Sequence, residues 1–129
     1  MIERQRFGRY LAIGAVATAV HYALLALAVE WGRWPAWLGS GTGAVVGAQV
    51  AYVGNRAFTF AHQGARGHSW PRFQVTALVG ALLGMVIVAL AVRWRLHYLL
   101  GQVAATGTAL VVTYFINRHW TFSSTPGPA

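Results

Sequence analysis

Val50-Ala51-Tyr52-Val53-Gly54-Asn55-Arg56-Ala57-Phe58-Thr59-Phe60, in the middle of the chain, returns near its end as Val112-Thr113-Tyr114-Phe115-Ile116-Asn117-Arg118-His119-Trp120-Thr121-Phe122. Each copy closes an apolar run with the order Asn-Arg-x-(Phe/Trp)-Thr-Phe. Further out, Arg6-Phe7 leads into the first apolar block and Arg72-Phe73 into the third. Self-similarity on this scale sets the architecture before any single residue is interpreted. The chain reads as two versions of one unit, about 6–60 and 72–122, each a pair of hydrophobic segments ending at a charged, aromatic boundary. Together they form a single membrane domain over residues 1–129.

The composition is that of an integral membrane protein. Of 129 residues, 57% are hydrophobic and 9% charged, against roughly 25% charged in an ordinary soluble domain. Ten arginines and no lysine face only Glu3 and Glu30, for a net charge of +8. The arginines flank apolar segments instead of clustering on one soluble surface, which points to a membrane face and away from nucleic acid. The absence of cysteine excludes disulfides, thiolate metal sites and cysteine nucleophiles.

Four segments are long enough to cross a bilayer as helices: Tyr10–Trp31, Ala36–Gly54, Gln74–Trp94 and Tyr98–Ile116. Each is near the ~20 residues that span a ~30 Å hydrocarbon core. The second is diluted by Gly39, Ser40, Gly41, Thr42, Gly43, Gly47 and Gln49, and is identified by its match to the fourth. The first has the basic front and Ala26-Leu27-Ala28 triplet of a signal peptide, but its apolar stretch is long for one and Arg6-Phe7 has a counterpart in the second half. It reads as an uncleaved helix. Pro71 suits the first turn of the third helix, and the Pro/Gly-rich tail 123–129 reads as disordered.

Seven arginines (Arg4, Arg6, Arg9, Arg56, Arg66, Arg72, Arg118) lie on the side of the termini and middle loop, and three (Arg33, Arg93, Arg95) on the other. The positive-inside rule then places both termini in the cytoplasm. The expected fold is an all-α membrane bundle of four transmembrane helices in two parallel two-helix repeats, related by an axis along the membrane normal.

In each Asn-Arg motif the helix reaches headgroup level. Arg56 and Arg118 can make forked, charge-assisted hydrogen bonds to a phosphate. Asn55 and Asn117 can donate and accept toward a phosphate oxygen or a sugar hydroxyl, and Phe58, Phe60, Trp120 and Phe122 can form a stacking surface. Snorkelling arginines and belt aromatics are common at helix ends and account for any one copy. Two copies in the same order are harder to explain as anchors alone. Within the spans, His21 is the foremost functional candidate, since buried ionisable groups are expensive in lipid. Thr18, His21 and Gln49 form a candidate polar path; the plainer reading bonds His21 to a facing helix through Gln49 or Thr18. Glu30, near the opposite interface, is expected to pair with Arg33. Glycines four apart (Gly39, Gly43, Gly47; Gly80, Gly84), extended by Gly101, Ala105 and Ala109, suit close helix contact in the bundle or a dimer seam. His62 and His68 make too loose a pair for a metal site, and His97 carries no signal.

No aspartate is present, and neither a Ser/His/Asp set, paired carboxylates nor a phosphate-cradling loop appears. An enzyme, a metal site and a cofactor are not expected.

The combination of Arg6-Phe7, Gly14, Thr18, Asn55-Arg56-x-Phe58-Thr59-Phe60, Arg72-Phe73 and Asn117-Arg118-x-Trp120-Thr121-Phe122 resembles the GtrA family of small four-helix membrane proteins over almost the whole chain. Many relatives carry an acidic residue near the position of His21. The resemblance implies a role in cell-surface polysaccharide synthesis: moving polyprenyl-phosphate-linked sugars across the cytoplasmic membrane, often beside a membrane glycosyltransferase. Three functions follow in order. The first is a translocase in which Arg56 and Arg118 take the lipid phosphate, with a homodimer or higher homo-oligomer to enlarge the path. The second is a non-transporting partner that recruits or stabilises the glycosyltransferase. The third is a proton-coupled exporter like the small multidrug resistance transporters, which depend on a carboxylate deep in the first helix.

Overall fold

The computed structural model describes residues 2–59, 69–116 and 119. Its described residues form four α-helices and no strand: α1 (Ile2–Glu30), α2 (Ala36–Gly54), α3 (Ser69–Arg93) and α4 (Tyr98–Ile116). A π-helical turn, Asn55–Thr59, prolongs α2. The middle segment around His62 and the tail 123–129 lie outside the described residues.

The limits of α2 and α4 are those expected from the sequence, α4 from its hydropathy and α2 from its match to α4. α1 and α3 begin earlier than expected, at Ile2 and Ser69. Hydropathy marks where lipid ends, whereas helical hydrogen bonding continues through exposed residues such as Arg4, Arg9 and Trp70. Pro71 stands in the first turn of α3, where its missing N–H breaks no helical bond.

Neighbouring helices run antiparallel. Gly39 of α2 faces Leu25 and Ala28 of α1, Gly43 faces His21, and Gly47 faces Ala17. Gly101 of α4 faces Ala91 and Val88 of α3, while Gly84 and Gly80 of α3 face Ala105 and Ala109 of α4. Gly41 of α2 lies against Met85 of α3, and Tyr52 meets Phe73 with ring centroids 5.0 Å apart. Bonds from Tyr22 to α4 and from Tyr98 to Glu30 close the circuit. The glycines thus serve the bundle itself: missing side chains let backbones approach, so van der Waals packing holds helices that gain nothing from burying apolar surface inside lipid.

The distribution of residue types is that of a membrane bundle. Ala17, Ser40, Thr76, Ala81, Gln102 and Ala105 are buried, whereas Leu11, Leu27, Leu82, Val86, Leu110 and Val111 are exposed. In water such large apolar surfaces would not remain uncovered. Three helical stretches, Phe7–Glu30, Trp70–Arg93 and Tyr98–Ile116, are long and apolar enough to cross a membrane. α2 is long enough, at 19 residues, but its glycines, Ser40 and Gln49 keep it below that apolarity. It holds its place through contacts with α1 and α3 on either side.

The bundle therefore has two ends. One, the motif end, carries the start of α1, the end of α2 and the start of α3. The other, the turn end, carries the α1–α2 and α3–α4 turns. After α3, Leu96 N–H donates to Ala91 O and Arg95 N–H to Val92 O, both at 2.9 Å, closing the helix around a left-handed residue. That residue is Arg95, with φ 64°. After α1, Trp34 N–H donates to Ala28 O at 2.9 Å, and Arg33 takes φ 56°. A side chain in this conformation costs roughly 1–2 kcal/mol. His97 acquires a role here: its Nδ1 accepts the Leu99 N–H at 3.1 Å, satisfying a donor at the start of α4.

Candidate functional site

At the motif end, the helical bonds of α2 give way to the wider π turn at Asn55, whose N–H still points back to Ala51 O and Tyr52 O. Gly54 lets this end of α2 lie close to α1: a Cβ there would lie 2.7 Å from Ile13 Cγ2. The turn packs against α1. It leaves Asn55 half-buried and engaged, and Arg56 exposed. Turns of this kind recur at functional sites because they re-aim side chains out of the helical register. Phe58 belongs to the same turn. Phe60, Asn117, Arg118, Trp120 and Phe122 lie outside the described residues. His119, which holds the position of Ala57 in the repeated motif, is π-helical as well and stacks on Phe115 at 6.4 Å. Arg4 and Arg9 are exposed on the same end.

Deeper in, the expected path of Thr18, His21 and Gln49 does not assemble. Thr18 is exposed on the outer face of α1. Gln49 is paired with Gln74 of α3: each amide donates to the other's oxygen, at 2.6 and 3.1 Å. His21 instead sits over Gly43, in the half of the bundle nearer the turns, with the Ser40 backbone and the Gln102 side chain as polar neighbours.

Around it is a polar cluster drawn from α1, α2 and α4. Ser40 Oγ donates to Gln102 Oε1 at 2.6 Å, and Gln102 Nε2 donates to Thr106 Oγ1 at 3.2 Å. The Tyr22 hydroxyl lies 2.7 Å from Thr106 Oγ1 and 3.3 Å from the Gln102 carbonyl. Ser40 and Gln102 are each only 1% exposed, so these bonds form where no water competes and where breaking one leaves an unpaid polar group. His21 Nε2 is buried without a hydrogen-bond partner. The signal for Ser40 and Gln102 was present in the repeat: each stands fifteen residues before the asparagine of its motif. What could not be read was that α2 and α4 turn these positions toward each other.

Glu30 does not pair with Arg33. Its Oε1 accepts the Tyr98 hydroxyl at 2.9 Å. Its place at the exposed end of α1 is also far from the deep carboxylate that an exporter of the small multidrug resistance kind requires. Among the described residues no group of three or more His, Asp or Glu converges on a metal position.

An inside-out helical bundle with a basic, π-turned end and a polar interior defines a small multi-helix membrane protein. A family model described as GtrA/DPMS, transmembrane domain, matches residues 9–125, and the chain belongs to that family. It is thereby a membrane protein of glycosylation pathways. No curated protein and no solved structure gives a significant match.

Proposed function

We propose that this chain translocates a polyprenyl-phosphate-linked sugar across the cytoplasmic membrane. The observation that carries the reading is the Asn55-Arg56 step on its π turn: a guanidinium presented outward at the boundary of the bundle, beside a half-buried amide. Arg56 and Arg118 take the lipid phosphate from the cytoplasmic leaflet. Asn55 and Asn117 assist, and Phe58, Phe60, Trp120 and Phe122 guide the sugar. The polar cluster around His21 offers hydroxyl and amide groups to the headgroup along its way, while the polyprenyl tail stays in lipid. The protein performs no covalent step.

Both termini are cytoplasmic in this reading, and the halves are parallel units. Corresponding contacts support that symmetry: Gly39 rests on Leu25 as Gly101 rests on Ala91, and each hairpin turns at a left-handed arginine. A homo-oligomer enlarges the path.

The test is conservative substitution. Forked phosphate recognition requires the planar guanidinium, which lysine does not reproduce. Arg56→Lys combined with Arg118→Lys is expected to cut transfer of sugar to the cell surface by about tenfold or more, the effect of losing ~1.4 kcal/mol of binding, at unchanged expression. Full transfer would show that charge anchoring suffices.

A second reading is favoured by the exposure of Arg4, Arg9 and Arg56 on one end. That basic face suits recruitment of a membrane glycosyltransferase without transport. Mislocalisation of the glycosyltransferase when the chain is deleted, with no flipping by purified protein, would establish it.

A further inference from the structure

The turn end holds two arginines in a conformation that glycine adopts without steric cost. Arg33 and Arg95 are the non-glycine residues with positive φ among the described residues, whereas no described glycine has one. Gly32 stands directly before Arg33 and does not take the strained position. It is needed for another reason, because a Cβ there would lie 2.9 Å from Ala28 O and 3.1 Å from Trp34 Cδ1. Two turns at corresponding positions of the two halves thus both place an arginine in a conformation that favours glycine. Repeated strain of this kind points to the side chain and not to chain reversal.

Charge and position agree with that. Glu30 is the one carboxylate near these turns, and the Tyr98 hydroxyl engages it. Neither Arg33 nor Arg95 has an anionic partner among the described residues. The Glu30–Tyr98 bond also ties the two turns together, since each arginine lies three residues from one of its ends. Beside them stand Trp31, 84% exposed, and Trp94, 72% exposed, the most exposed large apolar side chains among the described residues. Indoles with this exposure belong at the headgroup level of a bilayer.

We propose that Arg33 and Arg95, flanked by Trp31 and Trp94, form a binding site for the phosphate of a membrane lipid in the leaflet facing the turns. Guanidinium forks meet a phosphate with two bonds each. The fixed backbone limits the freedom lost when they do so, and the indoles lie against the adjoining part of the headgroup. The site extends the translocase reading from one end of the bundle to the other and rests on the chain handling phosphate-bearing lipids. Its test does not depend on transport.

Substituting Trp70→Phe and Trp120→Phe leaves tryptophan only at 31, 34, 37 and 94, so fluorescence then reports the turn end alone. In phosphatidylcholine nanodiscs, quenching is titrated with brominated phosphatidate, a lipid phosphate monoester, and with brominated phosphatidylglycerol as an equal-sign control. Phosphatidate is expected to quench at about tenfold lower mole fraction than phosphatidylglycerol. Arg33→Gly with Arg95→Gly should abolish that preference while raising the unfolding temperature, because the strain is relieved. A merely structural role for the arginines predicts the opposite thermal shift. Equal quenching by both lipids, a preference that survives the double substitution, or a lowered unfolding temperature would each overturn the site. Displacement of phosphatidate by equimolar inorganic phosphate would overturn its assignment to a lipid. Loss of flipping in an Arg56/Arg118 variant that retains the quenching preference would separate the two ends.

Discussion

Among the described glycines, the closest approach to another helix's backbone is made at Gly43. A Cβ there would lie 2.6 Å from His21 O and 2.7 Å from His21 Cδ2, and the backbone carbonyl cannot rotate away as a side chain could. Gly43→Ala is therefore expected to destabilise the α1–α2 contact by about 1–3 kcal/mol, read as a lower unfolding midpoint in detergent. Gly107→Ala is the control: nothing lies within 4 Å of its Cβ position, and the shift should stay within about 0.5 kcal/mol. Legibility at this scale was uneven. The glycine stripe could be read from its spacing of four, because that spacing alone puts small residues on one face. His21 could be singled out as costly in lipid, but its surroundings could not, since Ser40 and Gln102 reach it from helices whose rotation no single segment encodes. The same limit explains Gln49, whose partner Gln74 comes from the other half of the chain.

At the scale of elements, α2 is the helix without a stretch apolar enough to cross a membrane by itself, and it depends on its neighbours. Its two larger polar commitments are Ser40 toward α4 and Gln49 toward α3. The Gln49–Gln74 pair joins the two halves through reciprocal amide bonds, so its energetics should be asymmetric. Gln49→Leu alone leaves a half-buried amide without its partner and should cost about 1 kcal/mol, whereas Gln49→Leu with Gln74→Leu should return close to wild type. A double-mutant cycle measured by unfolding in detergent reads this directly; additive losses would mean that each amide has other partners. The helix limits themselves were largely visible, because apolar runs of about twenty residues bounded by Arg, Trp or Pro leave little choice. The early starts of α1 and α3 were not, since neither length nor hydropathy marks a helix that continues past the lipid. Left-handed Arg33 and Arg95 could not be anticipated either, as a turn with Gly32 available would ordinarily use the glycine.

For the whole molecule, the antiparallel circuit of four helices gives the chain two distinct polar ends and a polar cluster between them, all within one small bundle. Arg56 faces outward at one end, Arg33 and Arg95 at the other, and the His21 cluster lies nearer the latter. That arrangement suits a headgroup that enters at one face and leaves at the other, with apolar outer walls for its lipid tail. The most direct measurement is exchange between leaflets by purified protein in liposomes, using a polyprenyl-phosphate sugar scored with a membrane-impermeant reagent. Acceleration over empty vesicles, lost when Arg56 and Arg118 are both replaced by glutamine, is the predicted result. Folded protein that leaves exchange at the rate of empty vesicles would contradict translocation and leave recruitment of a glycosyltransferase as the function.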